Sequence, residues 1–344
     1  MTSERAFDPS AAALPDSGIY GLPHTPETAR VVVLPVPYAA TTSYGGGAEN
    51  GPDAVVEASR QVDLFDIDFG RPYEAGIALL ETGGDIRAWH DEARPHASRV
   101  IEAGGIDDGT PEFKAALKRV NELSDRVNED TYRRASELIQ RGKLVALLGG
   151  DHATPYGNIR AHAEAHPGLG ILHIDAHADL RVAYEGFTWS HASIMHNVVS
   201  RLGSVAKLVQ VGIRDFSEDE HNAIRNSEHR IVTHFDGVLA RRRFQGESWG
   251  KQVDDILSAL PKKVYVSFDI DGLDPSLCPS TGTPVPGGLL FAEATYLLHA
   301  LAASGRHIVG VDLNEVVPGE TEWDANVGAR ILYKMIGAMI AAQP

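Results

Sequence analysis

The chain has 344 residues, of which 43% are hydrophobic and 23% charged, and its formal net charge at pH 7 is −16. This acidic balance argues against nucleic acid as a partner, because phosphate backbones attract basic surfaces, and it suits a cationic ligand. The single cysteine, Cys278, cannot form an internal disulfide, and no stretch has the length and apolarity of a membrane span, so we expect a cytoplasmic protein.

Eight short apolar runs, separated by helical patterns, predict eight strands. Strands that are buried on both faces read as continuous apolar runs, and their alternation with helices indicates a parallel sheet covered by helices on both faces. In chain order, the runs are RVVVLPV from Arg30, AGIALLE from Ala75, KLVALLG from Lys143, LGILHID from Leu169, KLVQVGI from Lys207, RIVTHF from Arg230, KVYVSFDI from Lys263 and HIVGVDL from His307.

The segments between the strands contain one long predicted helix and two irregular regions. Apolar spacing predicts the helix over 113–142, where Gly142 provides a stop. Residues 1–28, rich in Ala and Pro, predict an extended arm, and 85–110 is expected to be a polar insertion. No linker divides the remainder, so 29–344 is expected to form one domain.

Acidic and imidazole side chains follow four of the predicted strands. Ligands of parallel α/β sheets bind outside the carboxyl ends of the strands, and alternate residues of an extended segment point to one side. These strand ends present His152 in LGGDH, Asp175, His177 and Asp179 in HIDAHAD, Asp269 and Asp271 in DIDGLDP, and Glu315 in NEV.

Four aspartates gathered at one edge would repel one another, and their pKa values would rise unless a cation were present. Two divalent ions would cancel the four charges and would lower the pKa of a shared water to about 7. Six ligands suit two metals if Asp175 and Asp269 are shared. Any single carboxylate, Glu315 included, could instead cap a helix or turn, and His173 is expected to pack beneath the site.

These motifs resemble those of the ureohydrolases, which include arginase, agmatinase and formiminoglutamase. The segments LGGDHATP, HIDAHADLR, SFDIDGLDPSLCPSTGTPVPGGL and GVDLNEVVP carry the resemblance. It implies a three-layer α/β/α fold with a mainly parallel eight-stranded sheet, assembled as trimers or hexamers. It also implies one metal held by His152, Asp175, Asp179 and Asp269, and another held by Asp175, His177, Asp269 and Asp271.

The same resemblance implies three catalytic roles. Glu315 would hold the cationic nitrogens of a guanidino substrate, His191 would carry a proton to the leaving nitrogen, and Asp179 would accept a proton from the shared water. Nickel is the preferred metal, with manganese as the alternative.

The segment 180–190 departs from the arginase pattern for holding an amino acid, so free arginine is not expected as the substrate. Several segments are most similar to a branch that acts on guanidine, dimethylguanidine or biguanides such as metformin, releasing urea or guanylurea. Phe187 and Trp189 would then form an apolar wall of the substrate site, or they would pack a loop or a subunit contact.

Three alternatives stay open at this point. The chain could be an agmatinase or guanidinobutyrase, it could be a supporting subunit in a hetero-oligomer with a homologous ureohydrolase, or it could be a zinc deacetylase. A zinc deacetylase would bind one metal with an Asp-His-Asp set, and the additional His152 and Asp271 argue against it.

Overall fold

The computed structural model describes residues 7–15 and 17–344. Eight strands form one sheet, each within or overlapping a predicted apolar run, and every pairing between neighbours is parallel. The strands are β1 Val31–Val36, β2 Ile77–Leu79, β3 Leu144–Gly149, β4 Leu169–Ile174, β5 Val205–Val211, β6 Ile231–His234, β7 Lys263–Asp269 and β8 His307–Asn314.

The strand order explains where the predicted site lies. The sheet runs β2-β1-β3-β8-β7-β4-β5-β6, so the four strands that carry the candidate residues are adjacent at its centre. The register aligns their carboxyl ends, since Leu148 pairs with Leu313 and Asp269 pairs with Asn314. Residues that are far apart along the chain therefore emerge side by side.

Helices cover both faces of the sheet, which confirms the predicted three-layer fold. Alternate residues of β1 point to opposite layers: Val31 and Val33 pack with one set of helices, and Val32 and Leu34 with the other. The described helices are α1 Gly51–Ser59, α2 Ile86–Glu102, α3 Pro111–Gln140, α4 Tyr156–Ala165, α5 Ile194–Arg201, α6 Glu218–Arg225, α7 Asp236–Phe244, α8 Trp249–Ser258, α9 Phe291–Ala303 and α10 Trp323–Ala341. None of them is long and apolar enough to cross a bilayer.

The predicted long helix is confirmed as α3, but the segment before it is not a simple polar insertion. Most of that segment forms α2, which buries Ile86, His90, Ala93, Ala97 and Val100 at three- and four-residue spacing. Small alanines provide much of this face, and polar residues occupy the other, so the segment reads as polar although it packs on α3 within the layer.

Part of the predicted arm also lies against the domain. Ile19, Tyr20 and Leu22 are buried, and the Tyr20 hydroxyl donates a 3.0 Å hydrogen bond to the Ala329 carbonyl on α10. Residues 1–6 and 16 lie outside the described residues. The domain boundary at residue 28 therefore stays a prediction, although residues 19–22 pack against the core.

Candidate metal centre

The six predicted metal ligands come together at the carboxyl ends of β3, β4 and β7. Asp269 is the last residue of β7, and Asp271 lies on the 3-10 turn Ile270–Gly272 directly after it. His152 follows β3, and Asp175 follows β4. A short loop after each strand is sufficient because the three strands lie close together at the centre of the sheet.

The first cluster, or inner cluster, is centred on Nδ1 of His152. This nitrogen lies 3.0 Å from Asp175 Oδ2, 3.1 Å from Asp269 Oδ2 and 3.5 Å from Asp179 Oδ2. All four side chains are almost completely buried. One imidazole nitrogen and three carboxylate oxygens thus converge on a point that is shielded from bulk water.

The second cluster is centred on Nδ1 of His177, nearer the protein surface. This nitrogen lies 3.1 Å from Asp271 Oδ2 and 3.5 Å from Asp175 Oδ1. Asp175 therefore faces one cluster with each of its oxygens, as a bridging ligand requires. Asp269 faces the first cluster with Oδ2, while its Oδ1 accepts a 2.9 Å hydrogen bond from the Asp271 N–H.

Hydrogen bonds beneath the first cluster set the orientation of the His152 ring. The Ser267 hydroxyl donates a 2.9 Å bond to Asp312 Oδ1, so its oxygen accepts from His152 Nε2, which lies 2.9 Å away. A neutral His152 then has no hydrogen on Nδ1, and its lone pair faces the three carboxylates. Such an arrangement needs a cation at its centre, either a proton or a metal ion.

The pKa shifts agree with this reading. Burial and the charge of nearby aspartates raise the pKa values of Asp179 and Asp269 well above the ordinary range. Burial opposes a charge on His177, but Asp271 and Asp175 outweigh it and raise the pKa of His177 to about 12. Without a metal ion, bound protons would have to neutralise the negative charge of these aspartates. The nitrogen and oxygen ligand atoms suit divalent metal ions, which would neutralise the same charge.

Asp175 is the exception among the aspartates. Burial alone would raise its pKa, but hydrogen bonds and charge from His173, His152 and His177 lower the pKa well below the ordinary range. It therefore stays ionised at neutral pH, which suits the residue that faces both clusters.

Two site residues adopt the left-handed backbone conformation that non-glycine residues rarely accept. Asp179 has φ 55° and Glu315 has φ 62°. Each such conformation costs about 1–3 kcal/mol and persists only where the surroundings fix it. The Asp179 carbonyl accepts from the His196 N–H, and the Glu315 N–H donates to the Gly150 carbonyl. Both carboxylates are thus held in place by the backbone.

Glu315 lies beside the first cluster and is paired with an acid that the sequence analysis did not select. Its Oε1 accepts a 2.9 Å hydrogen bond from the His152 N–H. Burial, followed by the charge of Asp151, raises the pKa of Glu315 to about 8. Burial also raises the pKa of Asp151 to about 7, and Asp151 Oδ2 accepts from Thr41.

His191 lies on the rim, which we define as residues 181–191. It begins the 3-10 turn His191–Ser193, which the Ser190 side chain caps. Burial, followed by the charges of His177 and His152, lowers the pKa of His191 to about 4. The imidazole is therefore neutral at pH 7, which is compatible with the predicted proton transfer.

Phe187 packs between α2 and α3. It is fully buried against Ala97, Phe113 and Val120 of α2 and α3, because the turn at Glu185 and Gly186 directs it away from the metal ligands. This packing agrees with the alternative that Phe187 packs a loop, and its predicted contact with substrate stays a prediction.

Trp189 is likewise engaged within the chain. Its ring lies 4.6 Å from that of Tyr156, and the Arg201 guanidinium stands 4.7 Å from its centroid. The cation that it contacts is therefore a protein side chain, and its predicted contact with substrate stays untested.

Sequence reasoning missed the polar residues beneath the clusters, namely Asp151, Ser267, Asp312 and Gln210, and assigned His173 only a packing role. His173 Nε2 lies 2.8 Å from Asp175 Oδ2, close enough to belong to the first cluster by distance alone. The available signal was a polar or charged residue inside an apolar strand run, such as Asp312 in HIVGVDL, because burying such a group requires a partner.

Comparisons with known proteins agree with this geometry. The model of the arginase family matches residues 29–337. The chain is 34% identical to N(1)-aminopropylagmatine ureohydrolase of Thermus thermophilus over 93% of this chain and 94% of that protein. It is 31% identical to proclavaminate amidinohydrolase of Streptomyces clavuligerus, over 91% of both. The fold matches that of agmatine ureohydrolase of Thermoplasma volcanium with a TM-score of 0.72, at 22% identity over 94% of both chains.

Proposed function

Because this chain belongs to the arginase family and is a hydrolase of C–N bonds in linear amidines, we propose that it releases urea from an agmatine-type guanidino compound. The observation that carries the proposal is the position of Asp175 between two clusters of metal-ligand atoms. One carboxylate that faces two imidazoles through different oxygens is the arrangement that a dinuclear hydrolase needs.

Two divalent metal ions complete the proposed site. The inner ion would be held by His152, Asp175, Asp179 and Asp269, and the outer ion by Asp175, His177, Asp269 and Asp271. When bound, such ions supply hydroxide at neutral pH and stabilise the negative charge that develops as the guanidinium carbon is attacked.

Glu315 binds the substrate cation in this proposal. Its Oε1 is engaged by the His152 N–H, which fixes the carboxylate and leaves Oε2 for a guanidinium N–H. A charge-assisted hydrogen bond of this kind is about twice as strong as a neutral one. A guanidinium beside Glu315 also favours its ionised form.

Protons are handled by Asp179 and His191. Asp179 lies in the inner cluster with a raised pKa, so it can take up the proton released when water is activated. His191, neutral at pH 7, can take up a proton from solvent and pass it to the departing nitrogen, which returns the ring to its neutral form. The leaving amine then departs as a neutral or cationic species instead of an anion.

The relatives support an agmatine-type substrate, in which an alkyl amine tail extends from the guanidine. Guanidine, dimethylguanidine or a biguanide is the second candidate, and the rim favours it. Arg181 stands 5.0 Å from the Tyr184 ring, and its charge contributes to lowering the pKa of His191. A substrate whose tail carries a second positive charge would meet this cation.

A substrate panel tests the proposal. The purified chain, loaded with manganese or nickel, would be assayed for urea, ammonia and amine with agmatine, aminopropylagmatine, guanidinobutyrate, guanidine, dimethylguanidine and metformin. We expect the greatest kcat/KM for an agmatine-type compound. A preference for guanidine or metformin would favour the second candidate, and no product from any compound would contradict both.

The same preparations address two further proposals. Nickel is preferred over manganese as the active metal, and the panel run with each ion compares them directly. We propose a homo-trimer or homo-hexamer, which light scattering of the purified chain measures. If activity appears only after a homologous subunit is added, the hetero-oligomer is supported instead.

A further inference from the structure

A fully buried glutamine connects the floor of the inner cluster to the neighbouring strands. Gln210 lies on β5, and its Nε2 is 2.8 Å from the Ala178 carbonyl and 3.0 Å from His173 Nδ1. Its Oε1 accepts a 2.9 Å hydrogen bond from the Thr233 hydroxyl on β6. Every hydrogen-bonding atom of this amide therefore has a partner.

These contacts fix the direction of each hydrogen bond. The Ala178 carbonyl can only accept, so the amide nitrogen of Gln210, not its oxygen, must face it. The second amide hydrogen then points to His173 Nδ1, which must accept. A neutral imidazole that accepts at Nδ1 carries its hydrogen on Nε2, and this nitrogen lies 2.8 Å from Asp175 Oδ2.

We infer that Gln210 is a positioning residue that holds His173 as the Nε2–H tautomer, so that His173 donates to Asp175 and orients its carboxylate between the two clusters. The inference rests on the dinuclear site proposed above. The inference also implies that His173 is not a metal ligand, although it lies among the proposed ligands, because a nitrogen that carries a hydrogen cannot bind a metal ion.

Asp175 has the matching arrangement on its other oxygen. Its Oδ1 accepts a 2.6 Å hydrogen bond from the His177 N–H, so each oxygen has one donor from the protein. A carboxylate oxygen has two lone-pair positions, and one on each side stays available for a metal ion. Loss of the His173 donor would free the carboxylate to rotate, and both clusters share it.

The tautomer can be observed without any assay of activity. Neutron diffraction of the deuterium-exchanged protein locates the imidazole deuterium, and solid-state NMR of 15N-histidine-labelled protein distinguishes the two tautomers. We expect the hydrogen of His173 on Nε2. A hydrogen on Nδ1, or a metal ion bound to Nε2, would overturn the inference.

Gln210→Glu tests the consequence for metal binding. A glutamate has at most one hydrogen where the amide has two, so it cannot donate to both Ala178 and His173 in either protonation state. Outer partners of metal ligands typically contribute about 10- to 100-fold in metal affinity. We therefore expect metal affinity to fall by about this factor at both positions.

Gln252→Glu is the matched control, because Gln252 on α8 is equally buried and its Nε2 also donates to a carbonyl, that of Leu239. It should keep two ions per chain. Thr233→Val, which leaves both amide hydrogens of Gln210 in place, should weaken metal binding less than Gln210→Glu. Equal metal affinity in Gln210→Glu and wild type would refute the positioning role.

The result stays distinct from that of the proposed function. If the tautomer and the metal affinities are as expected but no guanidino compound yields product, the substrate proposal fails and the role of Gln210 stands. If urea is released and Gln210→Glu binds metal normally, the substrate proposal stands and the role of Gln210 fails.

Discussion

The inner cluster and the rim are built in different ways. Residues of the inner cluster follow adjacent strands, are almost fully buried, and are fixed by hydrogen bonds to buried partners such as Ser267 and His173. The rim is a loop in which most side chains are partly or largely exposed, and α3 holds it from outside, where the Asn121 side chain accepts a hydrogen bond from the Thr188 N–H. In the proposed function, the sheet positions the residues that carry out the reaction, and the rim contributes to the choice of substrate.

Substitution of a metal ligand that both clusters share should have the largest effect on activity, larger than any substitution in the rim. Asp269→Asn keeps the shape but removes a negative charge from the inner cluster. Removing a hydrogen-bond partner of a metal ligand typically lowers metal affinity or activity by about 10- to 100-fold. Removing a ligand itself should therefore reduce kcat by more than about 100-fold. Urea release and metal content per chain measure the effect. Asp274→Asn, whose carboxylate caps a turn at Ser276 on the same loop, is the control. Normal turnover in Asp269→Asn would exclude the assigned role.

His191→Ala tests the part of the rim that the proposal assigns to catalysis. A group that transfers a proton contributes about 10²- to 10⁴-fold, so kcat should fall by at least about 100-fold while two metal ions stay bound. His196→Ala, half a turn into the following helix, should affect kcat less. If metal content falls in parallel with turnover, His191 has a structural role instead.

Glu315→Gln should alter substrate binding and its dependence on pH. Burial raises the pKa of Glu315 to about 8, so the carboxylate that binds a cation becomes more populated as the pH rises towards that value, and KM should decrease. Bound metal ions shift this change to lower pH. The variant should raise KM about 10- to 100-fold, the equivalent of about 1.5–3 kcal/mol, and should lose the pH dependence. If KM of the variant depended on pH as in the wild type, the pH dependence would belong to another group.

Arg181→Ala should have the smallest effect and should act on substrate choice alone. The side chain is 41% exposed and lies 3.7 Å from Glu220, so its contribution is screened. We expect kcat/KM for agmatine to increase about two- to fivefold, with little change for guanidine. Arg225→Ala, at the exposed end of α6, should change neither. Equal changes in kcat/KM for agmatine and guanidine would show that Arg181 does not interact with the amine tail of the substrate.

The contrast between the two regions also explains what the sequence could predict. Strands such as β3 and β4 are buried on both faces, so they read as unbroken apolar runs, and polar residues directly after them must meet at one edge. The six metal-ligand candidates follow from that rule, and the structure brings them together. Their roles in metal binding remain a proposal.

The parts that could not be predicted depend on directions that the sequence does not encode locally. Phe187 lies four residues before His191, but the left-handed turn at Glu185 sends it into the layer between α2 and α3. Gln210 and Asp312 are buried polar residues in largely apolar strands, and partners such as Thr233 and Ser267 lie on other strands. Helix α2 has a buried face on which only Ile86 and Val100 are large and apolar, which gives a weak periodic signal.

The central claim is that Asp175 lies between two metal ions. Anomalous diffraction from crystals of the manganese- or nickel-loaded chain, combined with elemental analysis, tests it most directly. We predict two peaks, one beside His152 and one beside His177, and two ions per chain. A single peak, or an active preparation that contains no metal, would contradict the account.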